Sequence, residues 1–392
     1  MGEDWGSDMA DKTDSYEAGL DGASQTVAQF DVSEKSIIMR FQGALHRSPS
    51  LVPLIVLVCA IMIFTGWLGP RFLPQMTLVF QQIQIVGILA LAQTLVILTA
   101  GIDLSIGAIA VFCSVIMGQF TFRYGLPPAM AVACGLAAGA AIGALSGWLV
   151  TRIKIPPFIA TLGVWQIVLA ANYIYSRNET IRARDIREDA PMLQWLGLKP
   201  NEQFVTWIDN LRGVTYERIR PNDTDQFVLD LIWQTKITYG VVMMIALTIL
   251  LAYMLRSTAW GRHVYAVGDD PEAAELAGVN VKRTLMSVYM LAGLISAIAG
   301  WSLIGRFASV SPSASTGLEG NIESITAVVI GGISLFGGRG SIWGAFFGAL
   351  IVGVFMLGLG MAGVNPQWTF MLIGTLIILA VGIDQWIRKV AA

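Results

Sequence analysis

Runs of mostly apolar residues recur along this chain, and a helix needs about 20 of them to cross a bilayer. Their pattern predicts spans at 51–68, 82–99, 104–122, 128–150, 158–175, 239–255, 285–304, 325–335, 342–361 and 368–383. The third and eighth are short or broken by glycine. Gly101 precedes the former, and Gly337-Gly338-Arg339-Gly340 follows the latter. The predicted fold class is therefore an all-α polytopic membrane protein with about ten transmembrane helices.

Two stretches interrupt this pattern. Residues 1–50 are polar and acidic, and lack the basic start and apolar run of a signal peptide. They are expected to form a disordered tail ahead of a transmembrane domain at 51–392. Residues 177–236 form a long polar segment carrying both signs of charge, with apolar runs at 192–198 and 227–233. This segment reads either as a solvated cap, the slightly favoured reading, or as a docking surface with short interfacial helices.

Basic residues in short loops set orientation. Arg152, Lys154, the 256–283 loop, Arg388 and Lys389 all fall on one side. That side is expected to be the cytoplasm, so both termini are cytoplasmic and 177–236 faces outward. Composition agrees with the class: 55% of the 392 residues are hydrophobic and 13% charged, against about a quarter charged in a soluble domain. A net charge of −2 offers no basic surface for nucleic acid. Cys59, Cys113 and Cys134 are dispersed in apolar runs, which suggests neither a disulfide framework nor a metal cage.

Small residues mark close helix packing in lipid. Gly135, Gly139, Gly143 and Gly147 form one face of the fourth span, and Gly344 and Gly348 repeat the spacing later. Packing within the chain is the main reading and a subunit interface the lesser one. The octapeptide 100–107 also echoes 331–338, with Gly101, Ile102, Leu104 and Gly107 matched by Gly332, Ile333, Leu335 and Gly338. Internal symmetry with glycine-broken helices in both halves is a transporter pointer, because unwound backbone is tolerated only where it is buried in protein or lines a cavity.

The loop at 256–283 carries a short helix signal. Asp270 suits an N-cap, Pro271 the first helical position, Glu272 and Glu275 the first turn, and Gly278 the position beyond the end. A helix this short is unstable alone in water and is expected to be docked on something.

Here the chain resembles a known family. Glu272-Ala273-Ala274 followed by Gly278, introduced by Gly268-Asp269-Asp270, is similar to the coupling loop of ABC-importer permeases. The blocks 94–105, 156–163 and 331–344 resemble the ribose/xylose/fructose branch of bacterial monosaccharide permeases, and 374–386 looks closest to fructose-type permeases. The tail and 200–235 depart from the pattern. The resemblance implies a cytoplasmic coupling helix formed by Asp269, Asp270, Glu272, Ala273, Ala274 and Gly278. It also implies an inner-membrane importer for a monosaccharide, with a second permease subunit as a homodimer partner and a periplasmic sugar-binding protein. A cytoplasmic ABC ATPase subunit would use ATP and Mg, and this chain would bind no cofactor or metal itself. The sequence has no phosphate-cradling Gly-rich loop, so ATP hydrolysis is expected on another chain. An ion-coupled transporter acting alone is the rival reading.

Candidates for the sugar route are polar or aromatic groups in or beside the spans: Gln93, Thr94, Asp103, Trp165, Gln166, Asn172, Tyr173, Asn321 and Glu323. Each also has a plainer role as interhelical glue, interfacial anchor or loop residue. Asp103 either caps the amides of Ser105, Ile106 and Gly107 or lines a polar path. Asn321 and Glu323 are expected at the outer side, leading into the eighth span.

Overall fold

The computed structural model describes residues 50–200 and 237–365, with scattered positions from Gln367 to Gly382. Regular structure among them is helical, apart from one isolated bridge between Ile181 and Val310. In chain order the helices are α1 (Leu51–Leu68), α2 (Met76–Leu98), α3 (Ile106–Phe122), α4 (Pro128–Trp148), α5 (Pro157–Ser176), α6 (Ala183–Asp189), α7 (Tyr239–Ser257), α8 (Ala259–Asp269), α9 (Pro271–Leu276), α10 (Val281–Phe307), α11 (Ala314–Ile330) and α12 (Ile342–Met361). Seven of these segments are long and apolar enough to cross a membrane, and α3 is a shorter apolar helix. The expected tail at 1–50 and most of the tenth span lie outside the described residues.

Proline sets several helix starts. Pro128 and Pro157 occupy first helical positions, where a missing N–H costs nothing and φ is already helical. The largest departures from expectation are at two helix starts and in one loop. α2 begins at Met76 rather than at residue 82, and α11 begins at Ala314 rather than at 325. The 256–283 loop holds α8 as well as the expected short helix.

Burial separates a central layer from a rim. The apolar window of α2 is 83% buried, whereas that of α1 is 22% buried. α10 and α12 join α2 inside, and α4, α5 and α7 keep broad apolar faces outward, where lipid would meet them. The glycine row of α4 packs inside the chain. A Cβ at Gly139 or Gly143 would strike the carbonyls of Gly293 and Tyr289 on α10, and one at Gly135 would meet Met117 of α3. Gly344 and Gly348 of α12 likewise lie on the backbone of Gly331 and Ala327. These faces are thus used for intrachain contact, and the subunit-interface reading does not hold for them.

The described part of the 177–236 segment is folded onto the bundle as short helical turns. Ile186 of α6 and Leu193 and Leu196 of the following 3-10 turn (Pro191–Gly197) are buried. Gly197 lies backbone to backbone on Gly305, and the Trp301 indole donates to the Leu193 carbonyl at 3.0 Å. Trp195 stacks on Tyr239 (4.8 Å between ring centroids) and on Trp301 (5.8 Å). The apolar run at 192–198 supplies the buried contacts, so the charges beside it are left on the outside.

Candidate functional site

Two helix breaks organise the interior. In the first, α2 ends at Leu98 with a left-handed residue, Ala100 (φ +58°). Ala100 N–H donates to the Ile97 carbonyl (2.9 Å) and Gly101 N–H to the Val96 carbonyl (3.1 Å), the pairing of a Schellman cap. The chain then runs unwound to Ser105, where α3 begins. Buried backbone of this kind must find partners, and side chains from three other places supply them.

Gln93 of α2 spans the Asp103 peptide. In the orientation that satisfies both ends, its nitrogen donates to the Asp103 carbonyl (2.9 Å) and its oxygen accepts from Asp103 N–H (3.2 Å). Thr161 of α5 accepts from Leu104 N–H at 3.2 Å, and its hydroxyl lies 3.1 Å from the Ile102 carbonyl. Asn321 of α11 donates to the Leu104 carbonyl and accepts from Gly107 N–H at 2.7 Å. Asp103 turns back on its own chain: its Oδ1 accepts from Ser105 N–H (2.7 Å) and from the Ser105 hydroxyl (2.6 Å). Gln93, Asp103, Thr161 and Asn321 are all buried.

The capping role expected of Asp103 is present, but divided. Asp103 takes the Ser105 amide, and Asn321 takes that of Gly107. Asn321 thus lies within α11 and against the break, not in a loop leading to it. Glu323 is half-buried in the same helix, with Glu319 and Arg306 as the charges acting on it. Arg306 in turn donates to the Gln81 carbonyl.

The other candidates do not join this cluster. The Thr94 hydroxyl bonds back to the Ala90 carbonyl at 2.7 Å. Trp165 is half-buried against a small group around Ala108, Val164 and Val168. Gln166 and Tyr173 lie on the exposed side of α5. Asn172 is buried, and its Oδ1 has no partner among the described residues. Two residues at the break were missed from sequence: Thr161 and Tyr289. The Tyr289 hydroxyl is buried without a partner among the described residues, 2.8 Å from where a Cβ on Gly101 would sit. Thr161 does fall in the 156–163 block, but a threonine in a span ordinarily bonds its own helix.

The second break runs from Gly331 to Ser341. Gly332 (φ +73°) takes the left-handed place, with Gly332 N–H donating to Val329 and Ile333 N–H to Val328. This is the same cap as at Ala100, one residue out of step with the sequence echo, which pairs Gly332 with Gly101. The breaks meet where Gly338 N–H donates to the Leu98 carbonyl at 3.0 Å.

The short helix α9 is built as its sequence predicts. Asp270 Oδ1 accepts from the amides of Glu272 (2.9 Å) and Ala273 (3.0 Å), and Pro271 opens the helix. Gly278 (φ +86°) closes it: its N–H donates to Glu275, and Val279 N–H donates to Ala274, both at 3.0 Å. Ala274 packs inward, Asp269, Asp270, Glu272 and Ala273 are exposed, and Leu276 is 91% exposed. α8 is amphipathic, with Val264 and Val267 buried, and Tyr265 donates to the Gly340 carbonyl at 2.9 Å. Burial pushes the Tyr265 hydroxyl above its ordinary pKa, so it stays a donor. No group of three or more metal-binding side chains occurs among the described residues.

The family model described as the permease component of the branched-chain amino acid transport system matches residues 75–381. The chain belongs to this permease family. It is a multi-pass inner-membrane protein. It is 58% identical to the fructose import permease protein FrcC of Rhizobium meliloti over 385 residues, 98% of each chain. It is 32% identical to the ribose import permease protein RbsC of Escherichia coli K12, over 87% of this chain and 94% of the relative. It is 31% identical to the xylose transport system permease protein XylH of the same organism, over 89% and 95%. No solved structure matches it significantly.

Proposed function

We propose that this chain is the permease subunit of an ABC importer that carries a monosaccharide, fructose before ribose or xylose, from periplasm to cytoplasm. The observation that carries the reading is end-to-end identity of 58% to a fructose import permease, joined to a short, capped and exposed helix in the most charged short loop. The α9 loop, Arg152 and Lys154 are cytoplasmic in this reading by the distribution of basic residues, and so are both termini.

In this scheme two copies of the chain enclose the sugar path. A separate ATPase subunit, using ATP and Mg, holds α9, and a periplasmic binding protein delivers the sugar. The exposed Leu276 would enter an apolar pocket on the ATPase, a large buried anchor of the kind that dominates interface energy. Ala273 leaves room for close approach, and Ala274 seats α9 on its own subunit. Gln93, Asp103 and Asn321 hold the break whose rearrangement opens and closes the path. The ion-coupled alternative lacks a free carboxylate at the first break, where Asp103 is engaged with Ser105.

Reconstitution tests the reading. The chain is placed in proteoliposomes with its ATPase subunit and binding protein, and uptake of labelled fructose is measured against unlabelled ribose and xylose. ATP-dependent uptake that needs both partners is expected. Uptake driven by a proton or sodium gradient in their absence would overturn the importer reading, and ribose or xylose competing better than fructose would overturn the substrate.

A further inference from the structure

We propose that the contact of Gly268 with Leu98 and Gly338 is the joint that carries displacement of α9 into both helix breaks, with Gly268 and Tyr265 as positioning residues for transport. The inference rests on α9 being the coupling helix.

Three backbones share one point here. The Leu98 carbonyl, at the end of α2, accepts from Gly338 N–H at 3.0 Å. A Cβ on Gly268 would collide with that same carbonyl and would lie 2.7 Å from the Gly338 nitrogen. From the other side, a Cβ on Gly338 would lie 2.8 Å from Asp269 Cα, and one on Gly337 would lie 2.8 Å from Ala100 N. Gly337 (φ +83°) and Gly338 (φ +68°) both need left-handed backbone as well as the space. Tyr265, one turn back on α8, ties the same segment through Gly340.

The path from α9 to the breaks is therefore short and lacks flexible side chains. Asp270 caps α9, Asp269 precedes it, and Gly268 is already against Leu98 and Gly338. Closely packed backbone transmits a displacement that rotamer changes would otherwise absorb. Beyond the joint, Leu98 leads through the Ala100 cap to Asp103, and Gly338 belongs to the second break itself. Each break lacks the regular bonds of a helix, so each is a place where a small shift at one end becomes a hinge motion. A push on α9 then moves both breaks together.

The test uses the assembled importer in proteoliposomes, reading labelled fructose taken up per ATP hydrolysed. A merely structural role would lower the yield of complex and leave that ratio alone. Gly268→Ala is expected to lower the ratio about tenfold, and Tyr265→Phe, which removes only the bond to Gly340, about threefold. Leu276→Asp tests α9 independently, through binding of the ATPase subunit. If Leu276→Asp loses the ATPase while Gly268→Ala and Tyr265→Phe keep the wild-type ratio, the joint is overturned and α9 remains the coupling helix. If Leu276→Asp also binds and couples normally, α9 is not the coupling helix and the joint falls with it. Should Gly268→Ala fail to accumulate, Tyr265→Phe decides: a wild-type ratio overturns the proposal.

Discussion

Asn321 accepts from the amide of Gly107 at 2.7 Å, so a side chain in the middle of α11 completes the first turn of α3. The same carboxamide donates to the Leu104 carbonyl. Asn321→Leu leaves both backbone groups buried and unpaired, at about 1–3 kcal/mol each. A thermal unfolding scan in detergent should show a clear loss of stability. Asn321→Asp keeps the acceptor for Gly107 and should fall between. Equal stability of Asn321→Leu and the wild type would refute the tie.

Asp103→Asn separates capping from a sugar-path role. Its Oδ1 can still accept from Ser105 N–H, so folding and uptake should stay within a few-fold of wild type, whereas Asp103→Ala should cost about 1–3 kcal/mol. Severe loss of fructose uptake in a well-folded Asp103→Asn protein would instead make the carboxylate part of the path.

Leu276→Asp changes a side chain that is 91% exposed. Thermal stability should be unchanged, within about 0.5 kcal/mol. Co-purification of the ATPase subunit should fall by at least about tenfold, since a large buried anchor is worth about 2 kcal/mol or more. Normal co-purification would mean that α9 does not dock on the ATPase subunit.

Gly278→Asp strains the left-handed end of α9, at about 1–2 kcal/mol. ATP hydrolysis should continue without matching sugar uptake, measured in the same vesicles. Uptake and hydrolysis that both remain normal would show that the closing turn of α9 is not needed.

Gly143→Val places two methyl groups against the α10 backbone at Tyr289. Overpacking of this kind costs about 1–3 kcal/mol or more, so the yield of folded protein should drop. Gly360→Ala, with open space at its Cβ, is the matched control and should accumulate normally.

How far the sequence could be read depended on which way polar residues face. α1 and α12 match their apolar runs end to end, because nothing charged interrupts them. α9 was legible down to its caps, since Asp270, Pro271 and Gly278 each have one strongly favoured use. α11 was not: Asn321 and Glu323 read as leading into the span, yet Asn321 points at the break and its polarity is spent on another segment's backbone. α8 was hidden because Arg262, His263 and Asp269 on its exposed face masked the buried pair Val264 and Val267. The grouping of Gln93, Thr161 and Asn321 was invisible because the last two serve an unwound segment distant in sequence. Thr94 beside Gln93 shows the limit well, being equally polar but turned onto its own helix.

The backbone contact between α4 and α10 has one more consequence. Gly139, Gly143 and Gly293 fit each other's carbonyls only in one register. A Cβ brought to any of these three places would sit within 2.5 Å of a peptide oxygen. These helices therefore form a keel, locked lengthwise, and a one-turn ratchet of α4 past α10 is closed to this bundle.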